Sequence, residues 1–309
     1  MPTPQLEFAA QLRAHAHVLI FRVIDSVHNK ALVLRAIARI PALVEQVAAI
    51  GPASGLVCVV GFGSDFWDVI SPGKRPAALA PFKARRAGDR VAPATGGDLM
   101  LHIISDRADL NFELALQIRA CLGGLAEVME EARSLNYLDG RDLTGFIDGT
   151  ENPQGAERPS VALVGDEDPD FAAGAHIFVQ RYIHDLARWR SLPIGEQEKV
   201  IGRRKADSAE LAAEEKPPTA HISRVSIEEG GAELKIVRCS FPYGTTSEAG
   251  LFFIAYARNP GIPEKMLDRM IGSGAAAPHD RLLEFTRPVA GATFFAPSIE
   301  NLRSLTSAA

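Results

Sequence analysis

The feature that most constrains the fold of this chain is an order of predicted elements that occurs twice. Residues 17–25 (HVLIFRVID) are rich in β-branched and aromatic side chains and predict a central strand, and residues 176–182 (HIFVQRY) have the same character 159 positions later. A strand that leads into a helix begins at Gly97 and again at Gly250, 153 positions later. Two such units with additional antiparallel strands predict an α+β chain of duplicated ferredoxin-like domains, with antiparallel sheets, peripheral helices and a barrel-like pairing of the two copies.

The two copies also predict a domain boundary near the middle of the chain. We expect one ferredoxin-like domain at residues 1–138 and a second at residues 139–309. Hydrophobic periodicity and turn residues predict the remaining elements. They are helices at 29–50, 111–133 (interrupted at Gly123-Gly124), 185–189, 195–201 and 263–271, strands at 56–63, 98–104 and 250–255, and a long loop at 71–97.

Composition excludes several classes of partner. The chain has 309 residues, 47% of them hydrophobic, which is enough to bury a large core and suggests two domains. Its net charge of −5 and the lack of a basic cluster argue against nucleic acid. Cys58, Cys121 and Cys239 lie far apart and suggest neither a disulfide framework nor a zinc site. No segment approaches the ~18 apolar residues of a membrane span, so we expect a cytoplasmic chain without a membrane partner.

A second constraint is the stretch from residue 143 to residue 153 (LTGFIDGTENP). It places Asp148 between Gly145 and Gly149, which permit close backbone approach and positive φ. An isolated Asp-Gly pair is most often a turn in which the Asp side chain caps its own backbone. The complete stretch resembles the GxxDG signature of the dye-decolourising peroxidases, which are haem enzymes. That resemblance implies an acid–base role for Asp148 and places Gly149 and Thr150 beside the cofactor.

The resemblance extends to a candidate iron ligand. His221 opens residues 221–225 (HISRV), which are similar to the family's context for the proximal haem ligand. Haem iron needs one protein ligand and an open position for peroxide, so a single histidine is enough. The family also has a carboxylate in the segment matching residues 279–285, where it accepts the second ring proton of the histidine. Relatives commonly have Asp where this chain has Glu284, and Asp280 is the alternative.

A candidate distal arginine follows the histidine. Arg238 lies in residues 234–244 (LKIVRCSFPYG), which resemble the family's strand for this residue. Without the resemblance, an arginine at a strand end is most often a solvated surface residue. The family often has Asn two positions later, where this chain has Ser240. The resemblance implies that Arg238 stabilises negative charge on the departing peroxide oxygen, because its guanidinium does not lose its proton.

Two further segments resemble parts of the family's haem pocket. Residues 201–205 (IGRRK) are similar to an IGRTK element whose first arginine, here Arg203, lies near a haem propionate. Leu251 and Phe253 resemble apolar residues of the distal face, and their alternate positions share one face of a strand. A plain core role explains these two apolar residues equally well.

On these motifs the chain is identified as a member of the dye-decolourising peroxidase family, of the bacterial B-type branch by its compact length. The resemblance implies one non-covalent haem b per chain, and the sequence has no Cys-x-x-Cys-His for covalent attachment. It implies an enzyme that reduces hydrogen peroxide and oxidises dyes, phenols or other small organic donors through a ferryl intermediate. Trp189, Tyr137 and Tyr182 are candidates for passing electrons from bulky donors at the surface. We also expect a homo-oligomer.

Two other functions remain open from the sequence. A haem carrier, or a protein that releases iron from haem, needs His221 and a pocket but not Asp148 and Arg238 together. A haem-free ferredoxin-like binding module would retain the motifs only as remnants. Some relatives are cargo of bacterial nanocompartments, but this chain ends soon after Pro297, and we do not expect encapsulation.

Overall fold

A computed structural model describes residues 2–8, 13–273 and 278–307. The strands of the first half are β1 (His15–Val23), β2 (Val57–Phe62), β3 (Arg85–Ala87), β4 (Arg90–Ala92), β5 (Leu99–Ser105) and β6 (Ala126–Arg133). Its helices are α1 (Ser26–Ala38), α2 (Ile40–Ala48), α3 (Ser64–Ile70) and α4 (Ala108–Leu122). Within the described ranges, no helix is both long enough and apolar enough to cross a membrane.

The second half has longer main strands and shorter helices. Its strands are β7 (Ala175–His184), β8 (Glu228–Glu229), β9 (Ala232–Glu233), β10 (Val237–Arg238), β11 (Phe241–Gly244), β12 (Ala249–Ala257) and β13 (Thr286–Ala296). Its helices are α5 (Glu157–Ala162), α6 (Leu186–Ser191), α7 (Ile194–Ile201), α8 (His221–Val225), α9 (Gly261–Ile271) and α10 (Ile299–Ser307).

Both halves have the same strand order. In the first half the order is β6-β1-β5-β2, and each neighbouring pair is antiparallel. Helices α1 and α2 connect β1 to β2, and α4 connects β5 to β6, as in a ferredoxin-like unit. The second half repeats this order as β13-β7-β12, with both β10 and β11 paired to β12. The predicted duplicated ferredoxin-like fold is therefore confirmed.

The two units join into one sheet and share part of their core. Strand β13 of the second unit pairs with β2 of the first through Phe295 and Phe62. One face of the first unit packs under α1, α2 and α4, where Phe21 belongs to a large buried apolar cluster. A second buried cluster contains residues of both units, including Val18 of β1 and Ile177 of β7. Burial of apolar surface at this shared core holds the two units together.

Two predicted elements of the first half are interrupted. The expected helix at 29–50 is divided into α1 and α2 at Arg39, because Pro41 has no N–H to continue the hydrogen-bond ladder of α1. The expected loop at 71–97 contains the short antiparallel hairpin of β3 and β4.

One prediction in the first half is wrong. The second part of the expected helix at 111–133 is the strand β6, which pairs with β1 at the edge of the sheet. Helix α4 ends at Leu122, and Gly123 follows it with φ 50°, a conformation that glycine adopts without strain. Residues 126–133 (AEVMEEAR) consist largely of helix-forming types, and cross-strand pairing with β1 outweighs that local preference.

Candidate active site

A cavity lies on the face of the second unit that corresponds to the helix-covered face of the first. Strands β7 and β12 form one wall, and α8, α9 and residues 142–151 form much of the remainder. The space between the lining side chains, together with the open mouth of the cavity, is ≈ 1490 Å³. The lining is mainly apolar with a few charged side chains, as a large planar cofactor with polar edges requires.

Asp148 and Arg238 form an ion pair on this cavity. Arg238 Nη1 lies 3.3 Å from Asp148 Oδ1, and both side chains are partly exposed. The loop that carries Asp148 turns at Gly145 and Gly149, whose φ angles are 86° and 79°. Such angles favour glycine, as the sequence predicted. A Cβ atom at Gly145 would also lie 2.6 Å from Lys205 Cε, so a side chain here would displace the end of the Lys205 side chain.

Asn152 holds the backbone of Arg238 in place, a role that the sequence reasoning missed. Asn152 Nδ2 donates to the carbonyl oxygen of Arg238 at 2.8 Å, and its Oδ1 accepts from the Arg238 N–H at 2.9 Å. The two contacts join residues that are 86 positions apart. The Asn-Pro pair indicated only a local turn. The same stretch therefore supplies Asp148 and fixes its arginine partner.

His221 is paired with a buried carboxylate. Its Nδ1 lies 2.6 Å from Oδ2 of Asp280, which is fully buried, and Asp280 Oδ1 accepts from the Leu282 N–H at 2.8 Å. Because Nδ1 is engaged, Nε2 is the ring nitrogen available to a metal. His221 is the first residue of α8 and lines the cavity.

Asp280 and Glu284 lie at opposite ends of one turn, and only Asp280 is placed to contact His221. Asp280 precedes the 3₁₀ turn Arg281–Glu284 and reaches His221. Glu284 lies at the far end of that turn, 3.7 Å from both Arg188 Nη2 and His279 Nε2. Of the two carboxylates that the sequence left open, Asp280 contacts His221, whereas Glu284 contacts Arg188 and His279.

The remaining predicted residues lie on or beside the cavity. Arg203, Leu251 and Phe253 line it, as do Gly149 and Thr150. The guanidinium of Arg203 donates to Glu151 Oε1 at 2.5 Å and to the Ser208 carbonyl oxygen at 2.9 Å.

Ser240 lies in a neighbouring cavity, apart from the main one. That second cavity shares Asp148, Gly149 and Arg238 with the first. The Ser240 Oγ atom accepts from the Ile254 N–H at 3.2 Å, so the hydroxyl is tied to the backbone of β12. The Ser240 side chain is short, so its hydroxyl reaches the backbone of β12 more easily than the main cavity.

Three residues of β7 line the cavity and were not predicted from the sequence to do so. Gln180, Tyr182 and His184 alternate along the strand and line the cavity, and we call them the polar stripe. His184 Nδ1 lies 2.7 Å from Thr286 Oγ1, and its Nε2 lies 3.3 Å from Asp142 Oδ1. A strand buried in an apolar core would have apolar residues at these positions. The alternation of polar residues was therefore the sequence signal that could have revealed a cavity.

Asp142 stays charged although it is buried. Burial raises the pKa of its carboxyl, but hydrogen bonds and charge from His184 and hydrogen bonds from Thr144 outweigh that effect and hold the pKa below its usual range. Thr144 donates its hydroxyl to Asp142 Oδ2 at 2.6 Å and its N–H at 2.9 Å. This network fixes the start of the loop that carries Asp148.

Two of the three aromatic candidates for surface electron transfer are buried. Trp189 packs edge-on against Phe146 and Phe285, and its Nε1 donates to the Thr144 carbonyl oxygen at 2.9 Å. Tyr182 is buried in the cavity wall. Tyr137 is partly exposed and lines the second cavity.

Comparisons with known proteins cover both halves of the chain. The family model "Dyp-type peroxidase, N-terminal" matches residues 6–135, and "Dyp-type peroxidase, C-terminal" matches residues 139–301. A "Dye-decolorizing peroxidase" of Mycolicibacterium paratuberculosis is 40% identical over 97% of this chain and 85% of its own length. One of Rhodococcus erythropolis is 42% identical over 81% of this chain and 74% of its own length.

Solved structures agree with the sequence comparisons. DyPB from Rhodococcus jostii RHA1 superposes with a TM-score of 0.94 at 39% identity, covering 97% of each chain. A Dyp-type peroxidase protein from Shewanella oneidensis superposes with a TM-score of 0.93 at 40% identity, covering 98% of this chain and 99% of its own. Variants of the Rhodococcus jostii protein have been solved in complex with heme. With both halves matched and likeness to DyPB consistent with the B-type branch, this chain belongs to the dye-decolourising peroxidases, a family of haem b enzymes that use peroxide to oxidise organic reductants.

Proposed function

We propose that Asp148 and Arg238 activate hydrogen peroxide at a haem held by His221. The observation that carries this proposal is the 3.3 Å ion pair of Asp148 and Arg238 on the same cavity as the His221–Asp280 pair. One pair offers a carboxylate and a fixed positive charge, and the other offers a free imidazole nitrogen. A peroxidase needs both sets of groups.

The residues present fit a haem. His221 would bind the iron through Nε2, and Asp280, which engages Nδ1, would make the imidazole a stronger donor to the metal. Arg203, here paired with the exposed Glu151, would be the cation for a propionate carboxylate. Leu251 and Phe253 would supply apolar contact with the porphyrin.

The protein side chains divide the peroxide chemistry between them. Bound haem would supply the redox chemistry, in which peroxide is reduced by two electrons and organic donors provide these electrons one at a time. Asp148 removes the proton from one peroxide oxygen and delivers it to the other, as a general base and then a general acid. Arg238 keeps its proton and stabilises the negative charge that develops on the departing oxygen. Asn152 keeps the arginine in position.

The same pair favours a peroxidase over a haem carrier. A carrier requires His221 and an apolar pocket. It gains nothing from a carboxylate and an arginine held together on that pocket, and burying part of each charge costs free energy. Asn152 makes two hydrogen bonds that fix the backbone of Arg238. They support a role for the arginine that depends on its exact position.

The test is replacement of the proposed iron ligand. His221→Ala should lose most bound haem or its normal absorption spectrum after reconstitution. His279→Ala is the matched control, because His279 is a partly exposed histidine 3.7 Å from Glu284, and it should keep full haem content. Normal haem content and an unchanged Soret band in His221→Ala would refute the assignment.

We further propose a domain division at residues 138 and 139, a cytoplasmic location and a homo-oligomeric state. The division is supported by the end of β6 at Arg133 and by the limits of the two family matches. All three cysteines carry free thiols, as is common in reducing compartments. Phe112 and Leu116 are exposed one turn apart on α4 and offer apolar area for self-association. Light scattering tests the assembly, cell fractionation tests the location, and limited proteolysis tests the boundary.

A further inference from the structure

Within the polar stripe, one hydrogen-bond donor is left over. His184 uses both ring nitrogens, on Thr286 and Asp142. The Tyr182 hydroxyl donates to Gln180 Oε1. Gln180 is 1% exposed, and its Nε2 has no hydrogen-bond partner among the described residues. The stripe therefore holds an unpaired amide N–H₂ that is buried in the cavity lining.

An unpaired buried amide is informative because such groups are rare and costly. Burial raises the pKa of the Tyr182 hydroxyl, so it stays protonated and available as a donor. That hydrogen bond engages Oε1 and leaves Nε2 as the free end of the Gln180 side chain. Phe253 lies directly across from Gln180 on β12 and offers no acceptor atom. The partner of Nε2 is then expected from the molecule that occupies the cavity.

We propose that Gln180 is a haem-positioning residue, whose Nε2 donates a hydrogen bond to a carboxylate of the bound haem. This inference rests on the proposed function. The chemistry of haem selects the carboxylate, because the pyrrole nitrogens bind iron and the methyl and vinyl groups accept no hydrogen bonds. A propionate is a strong, charged acceptor. Arg203 on the same cavity pairs with one propionate, and Gln180 holds the other.

The position of Gln180 in the duplicated fold supports a ligand-directed role. Its counterpart 159 residues earlier is Phe21, a fully buried member of the apolar cluster in the first unit. Hydrophobic contact is sufficient to fill that position when helices cover it. An amide at the equivalent place adds no packing advantage, and its function must come from its hydrogen bonds.

The experiment measures the rate of porphyrin loss from the reconstituted protein to excess apomyoglobin. Gln180→Met keeps a similar length and removes the donor. Loss of haem should be roughly 10- to 100-fold faster in Gln180→Met than in the unmodified protein, the usual range for a hydrogen bond to a charged group. The same pair of proteins is then loaded with the dimethyl ester of haem, which has no carboxylates. The ester has only neutral carbonyl acceptors, so the difference in release rate between the two proteins should be much smaller with the ester than with haem.

Gln197→Met is the matched control. Gln197 is also buried, but its Nε2 donates to the carbonyl oxygens of Trp189 and Leu192, and its Oε1 accepts from Lys205. It lies on α7, outside the cavity lining, so its replacement should destabilise the fold and affect release of haem and ester alike. Equal acceleration for haem and ester in Gln180→Met, or none for haem, would overturn the proposal. Failure of the unmodified protein to bind haem would instead contradict the proposed function.

Discussion

Strands β1 and β7 occupy the same place in the two units and face different surroundings. Phe21 and Val23 on β1 belong to a buried apolar cluster beneath helices. The residues 159 positions later, Gln180 and Tyr182, line the cavity with polar groups. The opposite faces of the two strands are alike, since Val18 and Ile177 belong to one shared core. The duplication thus retained the face that joins the units and changed the face that meets a ligand.

The covering helices explain why only one unit has this cavity. In the first unit α1 has 13 residues and α4 has 15, and both place apolar side chains over the sheet. In the second unit α9, the counterpart of α4, has 11 residues, α6 has 6 and α8 has 5, with irregular chain between α7 and α8. Short helices cover less of the sheet, and the space left beneath them is the cavity. One fold therefore gives a sealed core or a cofactor pocket, depending on what covers the sheet.

The largest effect on stability is expected when the polar residue of the second unit is placed at the matching position in the core of the first unit. Phe21→Gln puts an unpaired amide in a sealed core and removes an aromatic ring, which should cost about 3–5 kcal/mol of unfolding free energy. Urea denaturation measures the loss. Haem content per folded molecule should not change, because Phe21 lies in the first unit's core. A loss below about 1 kcal/mol would mean that the first unit tolerates polar groups as the second does.

The next effect tests the pair at the cavity. Arg238→Leu removes fixed positive charge where negative charge develops, and such a loss typically slows a reaction by about 10²–10³-fold. Stopped-flow absorbance should show this slowing of the reaction with hydrogen peroxide at every pH. Asp148→Asn should slow the reaction less at high pH, because free hydroperoxide is then more abundant and needs no base. A peroxide rate equal to that of the unmodified protein in Arg238→Leu would remove the arginine from the mechanism.

The smallest effect concerns the shared core between the units. His102 on β5 is hydrogen-bonded through Nδ1 to the Tyr256 hydroxyl on β12 at 2.8 Å, and burial lowers the pKa of His102 to about 3. An unfolded histidine has a pKa of about 6.5, so the unfolded chain binds more protons than the folded one between these values. Stability should fall as the pH decreases from about 6.5 towards 3, by at most about 1.4 kcal/mol per pH unit from this residue.

His102→Gln is the variant that isolates this contribution. Glutamine still accepts from Tyr256 and does not titrate, so the pH dependence of the unfolding free energy should become shallower in this range. His176 continues to contribute in the variant, since burial lowers its pKa to about 4. An unchanged slope in His102→Gln would show that His102 binds a proton in the folded protein as readily as in the unfolded chain.

The sequence predicted the features that depend on local pattern or on a long motif. Periodicity predicted the strands β1, β2, β5, β7 and β12 and the helices α7 and α9, and the motif stretch identified Asp148 with its flanking glycines. It failed where pairing between distant segments decides the structure. Residues 126–133 have helical composition, and only β1 makes them a strand. Asn152 indicated a turn, while its main contacts are with Arg238, 86 positions away.

Two features of the site could not be predicted from the sequence. Asp280 and Glu284 are separated by one turn, and only the direction of that turn decides which carboxylate meets His221. Gln180 lies in a segment that predicted a plain strand, and its unpaired amide is apparent only when its neighbours are known. Local propensity indicates most elements, whereas hydrogen-bond partners depend on how the elements pack.

The most direct test of the account is the Soret absorption of the haem-reconstituted protein before and after one equivalent of hydrogen peroxide. We expect one haem per chain and a Soret band that changes on addition of peroxide. The original band should return when a phenolic donor is added. A Soret band that peroxide leaves unchanged would contradict the account and indicate a haem carrier, and the absence of any Soret band would contradict the haem site itself.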